Sequence, residues 1–255
     1  SPALLELGCP ARVYIPLEEV SRLESLPGEG PEWCAVLPRV WRDRDEPALR
    51  TLLERARALG FTGVLIGNLG HLPLVRGLNF HLYGDYGLNV FNSRSLAYLK
   101  DKELESACVS FELRFAQIRD LKKVLRAEAI VYGRLPLMIT ENCLVQNETG
   151  CRLDRQGPCV PEDGPCRCGQ PNVLVDRTGA AFPLLPAYGH RTEIQNSKPL
   201  YLADRPEHRR LGLAYARLRF TTETAEECVS VVQNYLDAAP AAGDFTRGLY
   251  ERGVE

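Results

Sequence analysis

The sequence predicts an α/β fold, an irregular (β/α)8 TIM-like barrel with a cysteine-rich loop and a β-hairpin inserted after strand six. Short apolar segments rich in Val, Ile, Leu, Tyr and Phe recur along the chain, and helical periods lie between several of them. The apolar segments are largely continuous rather than alternating, as in parallel strands covered on both faces. Eight segments read as strands: Arg12–Leu17, Cys34–Val40, Gly63–Gly67, Phe80–Tyr83, Ala107–Phe111, Ala129–Tyr132, Pro199–Leu202 and Ala216–Phe220.

Three helices follow from their periods. Over Glu46–Leu59 the residues Leu49, Leu52, Leu53, Ala56 and Leu59 share a face, and Gly60 stops it. A second fits Arg114–Leu125. The third spans Glu223–Leu236, with Thr222 placed to cap it and Ala225, Cys228, Val229, Val232 and Leu236 as its apolar stripe. After strands one and three the helices read as short or missing, which makes the barrel irregular. Residues 1–255 read as a single barrel domain, with 140–197 as its cysteine-rich insertion.

With 45% hydrophobic and 25% charged residues the chain can build an ordinary core. Its longest apolar runs fall far short of the roughly 20 residues of a spanning helix, so no membrane partner is expected. A net charge of -2 gives no global reason to bind nucleic acid. The local basic strip of Arg205, Arg209, Arg210, Arg217 and Arg219 reads as a solvated face. A start at Ser1 rather than Met is read as a piece cut from a longer parent chain, whose other domains are expected partners. An odd cysteine count and no apolar leader fit a reducing compartment, and the expected location is cytoplasmic.

Five of the nine cysteines crowd into the insertion: Cys143, Cys151, Cys159, Cys166 and Cys168. The thiolate is a soft ligand, and four of them on one loop select zinc or an iron-sulfur cluster over magnesium or calcium. Structural disulfides are the alternative, but those belong to small secreted domains. Cys34, Cys108 and Cys228 sit in apolar segments and read as buried small hydrophobes. Beyond the cysteines, NVLVDRTGAAFPLLP reads as a hairpin with an Asp-Arg-Thr-Gly turn. A stretch this long without a helical period is functional or stapled by an ion.

In a parallel barrel the loops after the strand ends form the active face. Asn68, Asp85, Asn89, Glu112, Arg134, Glu141, Asp204 and Thr221 all follow strands. Singly, each reads as turn chemistry. As a group at one mouth they supply candidates: Asp85, Glu112 and Glu141 for catalysis, and Asn89, Arg134 and Tyr132 for holding substrate. The planar fork of Arg134 would suit a carboxylate or phosphate. The four histidines, His71, His81, His190 and His208, are scattered, and neither an HExxH helix nor a GxSxG elbow occurs.

The run from Glu128 to Met138 (EAIVYGRLPLM), then Thr140-Glu141-Asn142-Cys143, the cysteine loop, Asp176-Arg177-Thr-Gly, and Arg191-Thr-Glu-Ile-Gln-Asn-Ser197 resembles peptidase family U32, the collagenase-like proteases. More narrowly it is similar to the second barrel module of long bacterial members. GDYGLNVFNS (Gly84–Ser93), VSFEL (Val109–Leu113) and FTRGLYERGVE (Phe245–Glu255) fit the same group. The resemblance implies a barrel whose strand-six loop binds an iron-sulfur cluster, in enzymes similar to dioxygen-independent hydroxylases of RNA bases or quinone precursors. Relatives carry a Cys where this chain has Pro136, and another where it has His190. The implied ligands are therefore Cys143, Cys151, Cys166 and Cys168, with Cys159 and His190 as alternates, around an iron-sulfur cluster or zinc. Three functions follow as expectations. The first is a cluster or metal enzyme acting on a small molecule, RNA or peptide; the second, a metal-dependent peptidase; the third, a non-catalytic zinc-clipped module docked to another barrel of its parent.

Overall fold

The computed structural model describes residues 2–8, 10–26, 28–149 and 170–253. Seven strands form one curled parallel sheet: β1 (Arg12–Pro16), β2 (Glu32–Val36), β3 (Gly63–Ile66), β4 (His81–Gly84), β5 (Ser106–Cys108), β6 (Arg126–Gly133) and, beyond β6, β12 (Tyr215–Leu218). This is a mixed α/β fold with a half-barrel of parallel strands. Its two edges, β1 and β12, share no ladder among the described residues, yet side chains cross between them: Arg12 Nη2 donates to Tyr215 Oη at 3.2 Å.

Continuous apolar character has a direct cause here. The outward side chains, among them Val13, Ile15, Ala35, Val64, Ile66, Ala107 and Ala127, pack into the main core with helix residues. After the short α1 (Pro2–Glu6), the helix α2 (Glu46–Ala58) carries a Pro in its first turn and buries Leu49, Leu53 and Ala56. Fully burying a leucine contributes roughly 1.5–3 kcal/mol. Gly60, at φ +98°, turns the chain out of it. Between β4 and β5 lies α4 (Ser93–Asp101), capped by Asn92, whose side chain accepts from the backbone of Arg94 and Ser95. After β3 comes only α3 (His71–Val75), and after β1 a 3-10 helix, Leu17–Arg22, so the crossings expected to be short are short.

Several expectations need correction. Strand seven, Leu200–Tyr201 (β11), is two residues long and pairs antiparallel with the end of β6. The second helix is α5 (Phe115–Asp120), about half its expected span, because Leu121 turns to extended backbone. The last helix, α7 (Ala225–Leu236), is capped by Thr224 rather than Thr222, in a capping box with Glu227. Arg217 and Arg219 point into the half-barrel and not to solvent: their side chains are 10% and 16% exposed.

The insertion is a second sheet rather than a lone hairpin. Its strands run in the order β7 (Pro136–Thr140), β10 (Arg191–Gln195), β9 (Ala181–Ala187), β8 (Asn172–Val175), all antiparallel. The β8–β9 hairpin turns at Asp176, whose carboxylate accepts from the Thr178 and Ala180 amides. Between Thr140 and the sheet's return lies the short helix α6 (Leu144–Thr149). Cys9, Cys151, Cys159, Cys166 and Cys168 lie outside the described residues. No described helix is long and apolar enough to cross a membrane.

Candidate functional site

Inside the curl, strand positions two apart carry polar groups, because alternate side chains face one side of a sheet. At the amino-terminal end Arg12 donates to Glu32 at 3.0 Å and to Ser106 at 2.8 Å. Its guanidinium lies 3.6 Å from the Tyr83 ring centre and 4.3 Å from that of Tyr215. Tyr83 Oη also donates to Glu32, at 2.7 Å. This tier plugs the bottom of the half-barrel.

A second tier sits nearer the carboxyl ends of the strands. Tyr14 Oη donates to Glu128 Oε2 at 2.9 Å, and Arg217 Nη1 donates to Asp85 Oδ1 at 2.6 Å while lying 3.5 Å from Glu128 Oε1. Burial pushes the Glu128 carboxyl upward, against the pull of Arg217. For Arg217 itself burial opposes charge, but Asp85 and Glu128 outweigh it and hold the guanidinium protonated. Glu128 is 4% exposed and Asp85 9%.

Above this tier the insertion sheet closes on the mouth. Arg219 donates to Glu193 and Gln195 of β10, each at 2.6 Å, and to the Arg134 carbonyl at 2.8 Å. Arg39, at the exit of β2, lies over the Tyr86 ring, 5.4 Å from its centre. From the mouth a cleft of ≈ 1290 Å³ runs along the open seam between β1 and β12, bordered by Tyr14, Arg39, Asp85, Glu128, Arg217 and Arg219.

The residues expected at the mouth separate. Asp85 belongs to the cleft, where it caps the turn Tyr86–Leu88 through the Tyr86 amide and pairs with Arg217. Glu141 stands at the rim, exposed, accepting from Arg191 at 2.7 and 3.0 Å and from Arg42 at 2.5 Å. Those guanidiniums hold its carboxyl down to about 2. Such a group anchors better than it abstracts protons. Asn89 is exposed in the left-handed region, φ 49°, ending the same turn. Glu112 is half-buried after β5, its amide donating to Ser110 Oγ.

Tyr132 and Arg134 border a separate hollow of ≈ 360 Å³ with Glu223 and Glu227. The Tyr132 hydroxyl donates to Glu223 at 3.2 Å, and its ring packs with Tyr201, Phe220 and Tyr235. Nη1 of Arg134 donates to the carbonyls of Asn196 and Ser197. Sequence reasoning passed over Tyr14, Glu128 and Arg12. The signal was there: Arg12-x-Tyr14 and Tyr215-x-Arg217-x-Arg219 alternate polar residues at the period of a strand.

Of the expected metal ligands, Cys143 is described. It is buried beside Val145, Leu184 and Ile194, and its Sγ accepts the Gln146 amide at 3.4 Å. His190 is placed at φ 60° just before β10. Thr192 pairs with Thr140 across β10 and β7, so His190 and Cys143 leave the sheet at the same end. Among the described residues no three potential ligands cluster.

A sequence profile described as Peptidase family U32 matches residues 26–172. Among solved structures, the U32 peptidase Mk0906 is similar at a TM-score of 0.38 and 12% identity, over 62% of this chain and 75% of that one. No curated protein matches the sequence.

Proposed function

The chain belongs to peptidase family U32, and from that premise we propose an enzyme working in the cleft at the carboxyl ends of its parallel strands, with an iron-sulfur cluster or zinc held by the insertion. The observation that carries this reading is the Arg42–Glu141–Arg191 clamp. It ties the insertion to the barrel rim two residues before Cys143. The ligands would be Cys143, Cys151, Cys166 and Cys168, with Cys159 and His190 as alternates. Cys143 fits the part: a thiolate there would accept the Gln146 amide of α6, and the apolar neighbours would keep water off a metal–sulfur bond.

A bound cluster would supply electron transfer or, with an open iron position, Lewis acidity. The chain's own groups do the rest. Glu128 and Tyr14 form a buried proton-holding pair, steadied by the Arg217–Asp85 ion pair beside it, and the insertion sheet shields the mouth from water. The substrate is a small molecule, an RNA base or a peptide. Peptidase chemistry through Glu141 as base is the weaker form of the proposal, because two guanidiniums keep that carboxylate ionised and occupied. A structural zinc clip serving another domain of a longer chain is weaker again, since it leaves the charged cleft without a role.

The test is anaerobic purification with metal analysis and visible absorption. The proposal expects iron and sulfide with a charge-transfer band, or one tightly held zinc, and loss of metal in Cys143→Ser. Metal-free protein from both aerobic and anaerobic preparations would sink it.

A further inference from the structure

We propose that Arg39 is an oxyanion-binding residue of the mouth, built to take a carboxylate or phosphate group of a small ligand. This rests on the reading that the mouth is the working face of the chain. The other arginines bordering the cleft have partners: Arg12 has Glu32, Arg217 has Asp85, Arg219 has Glu193, Arg191 has Glu141, and Arg209 has the Tyr235 carbonyl. Arg39 has no hydrogen bond or ion pair among the described residues; its contact is the face of Tyr86. A guanidinium is always charged and carries five donors in a planar fork that matches a carboxylate or phosphate. One held at a cleft without an anion is a donor set waiting for a ligand.

It is also held in place. The stem of Arg39 runs between two glycines at the exits of β3 and β4. A Cβ built on Gly67 would lie 3.6 Å from Arg39 Cγ, and one on Gly87 would lie 2.9 Å from Arg39 Cδ and 2.6 Å from the Gly67 carbonyl. A side chain at Gly87 would press on the stem and on the Gly67 carbonyl, whereas one at Gly67 would meet the stem at ordinary contact distance, so it is Gly87 that keeps the channel open. The nearby carboxylate, Asp85, already serves Arg217 and the Tyr86 amide. A preorganised cation loses less rotamer freedom on binding, which is where much of the cost of a long side chain lies. The anion-binding role expected of Arg134 falls to Arg39 in this cleft, because Arg134 borders the separate hollow beside Tyr132 and its Nη1 is held by the Asn196 and Ser197 carbonyls.

The experiment titrates the full chain at low ionic strength with inorganic phosphate in one arm and malonate in the other, read by calorimetry and by the fluorescence of Trp41, two residues from Arg39. Saturable binding in at least one arm is expected, weakening as salt is added. Arg39→Gln should lower that affinity at least tenfold and Arg39→Lys should retain part of it, with the thermal midpoint unchanged or raised. The responding arm tells carboxylate from phosphate. No saturation in either arm, or equal affinity in Arg39→Gln, overturns the proposal; so does a lowered midpoint with unchanged affinity, which would make Arg39 a packing residue. Metal content is measured on the same samples, so a failure of the cluster reading is seen separately from a failure here.

Discussion

His71 shows how a single residue couples this fold to pH. It is fully buried, its Nε2–H donates to the Pro38 carbonyl at 3.1 Å, its ring lies 6.0 Å from that of Trp41, and its Nδ1 has no partner among the described residues. Burial pushes its pKa down to about 4 from 6.5. The unfolded chain therefore takes up a proton first as pH falls, so stability is full above pH 6.5 and is lost progressively toward pH 4. The loss from this residue grows by about 1.4 kcal/mol per pH unit below 6.5 and reaches on the order of 3 kcal/mol by pH 4. In His71→Phe the midpoint of urea unfolding should fall less between about pH 6.5 and 4.5 than in the parent, the remaining fall coming from groups such as His208, whose pKa burial also lowers. Parallel slopes in the two proteins would show that the imidazole is not the titrating group. Arg217 teaches a different lesson at this scale. Read along the chain it joins a basic strip, and nothing local says that its strand turns it inward; only the arrival of Asp85 and Glu128 from distant strands makes its burial affordable.

Among the elements, β6 and β12 are joined most closely at Gly133, the glycine of the GRLPLM run. Its φ is +114°, and a Cβ there would fall 1.9 Å from the Arg219 carbonyl oxygen. Backbone cannot yield as a flexible side chain can. Gly133→Ala should cost more than about 4 kcal/mol or abolish cooperative unfolding, as followed by circular dichroism in urea; near-parental stability would mean that β12 does not lie against β6 there. The parallel strands and α2 were legible in the sequence because continuous apolar runs and a clean helical stripe are local signals. The insertion sheet was legible only at its β8–β9 hairpin, where a turn announces itself. Strand β7 was not, because it opens on a proline and pairs with β10 more than 50 residues away; β10, although it returns directly on β9, is mostly polar (Arg191-Thr-Glu-Ile-Gln195) and carries no apolar strand signal. α4 was missed for a different reason. Its nine residues carry just Leu96 and Leu99 to the core, too few for a stripe, and its cap at Asn92 was the better signal.

For the molecule as a whole, the question is what keeps an open sheet curled. The two edge strands share no ladder among the described residues, so their approach depends on side chains, and the Arg12 guanidinium touches four other strands: β2 through Glu32, β4 through Tyr83, β5 through Ser106 and β12 through Tyr215. Its side chain is 7% exposed, so the Glu32 carboxylate is left with Tyr83 alone if the cation is removed. Breaking one partner out of a buried ion pair costs about 3–5 kcal/mol. Arg12→Met keeps the stem and deletes the charge. The half-barrel should then loosen from its edges inward: amide hydrogen exchange should quicken first in β1 and β12, while β3 and β4, covered on both sides by neighbouring strands, keep their protection. Uniform acceleration across all seven strands would mean that the sheet opens as one unit and that the seam has no stability of its own. Because the cleft runs along that same seam, a loosened edge should also change how the charged tier of Asp85, Glu128 and Arg217 meets solvent, which links the fold's weakest boundary to its candidate site.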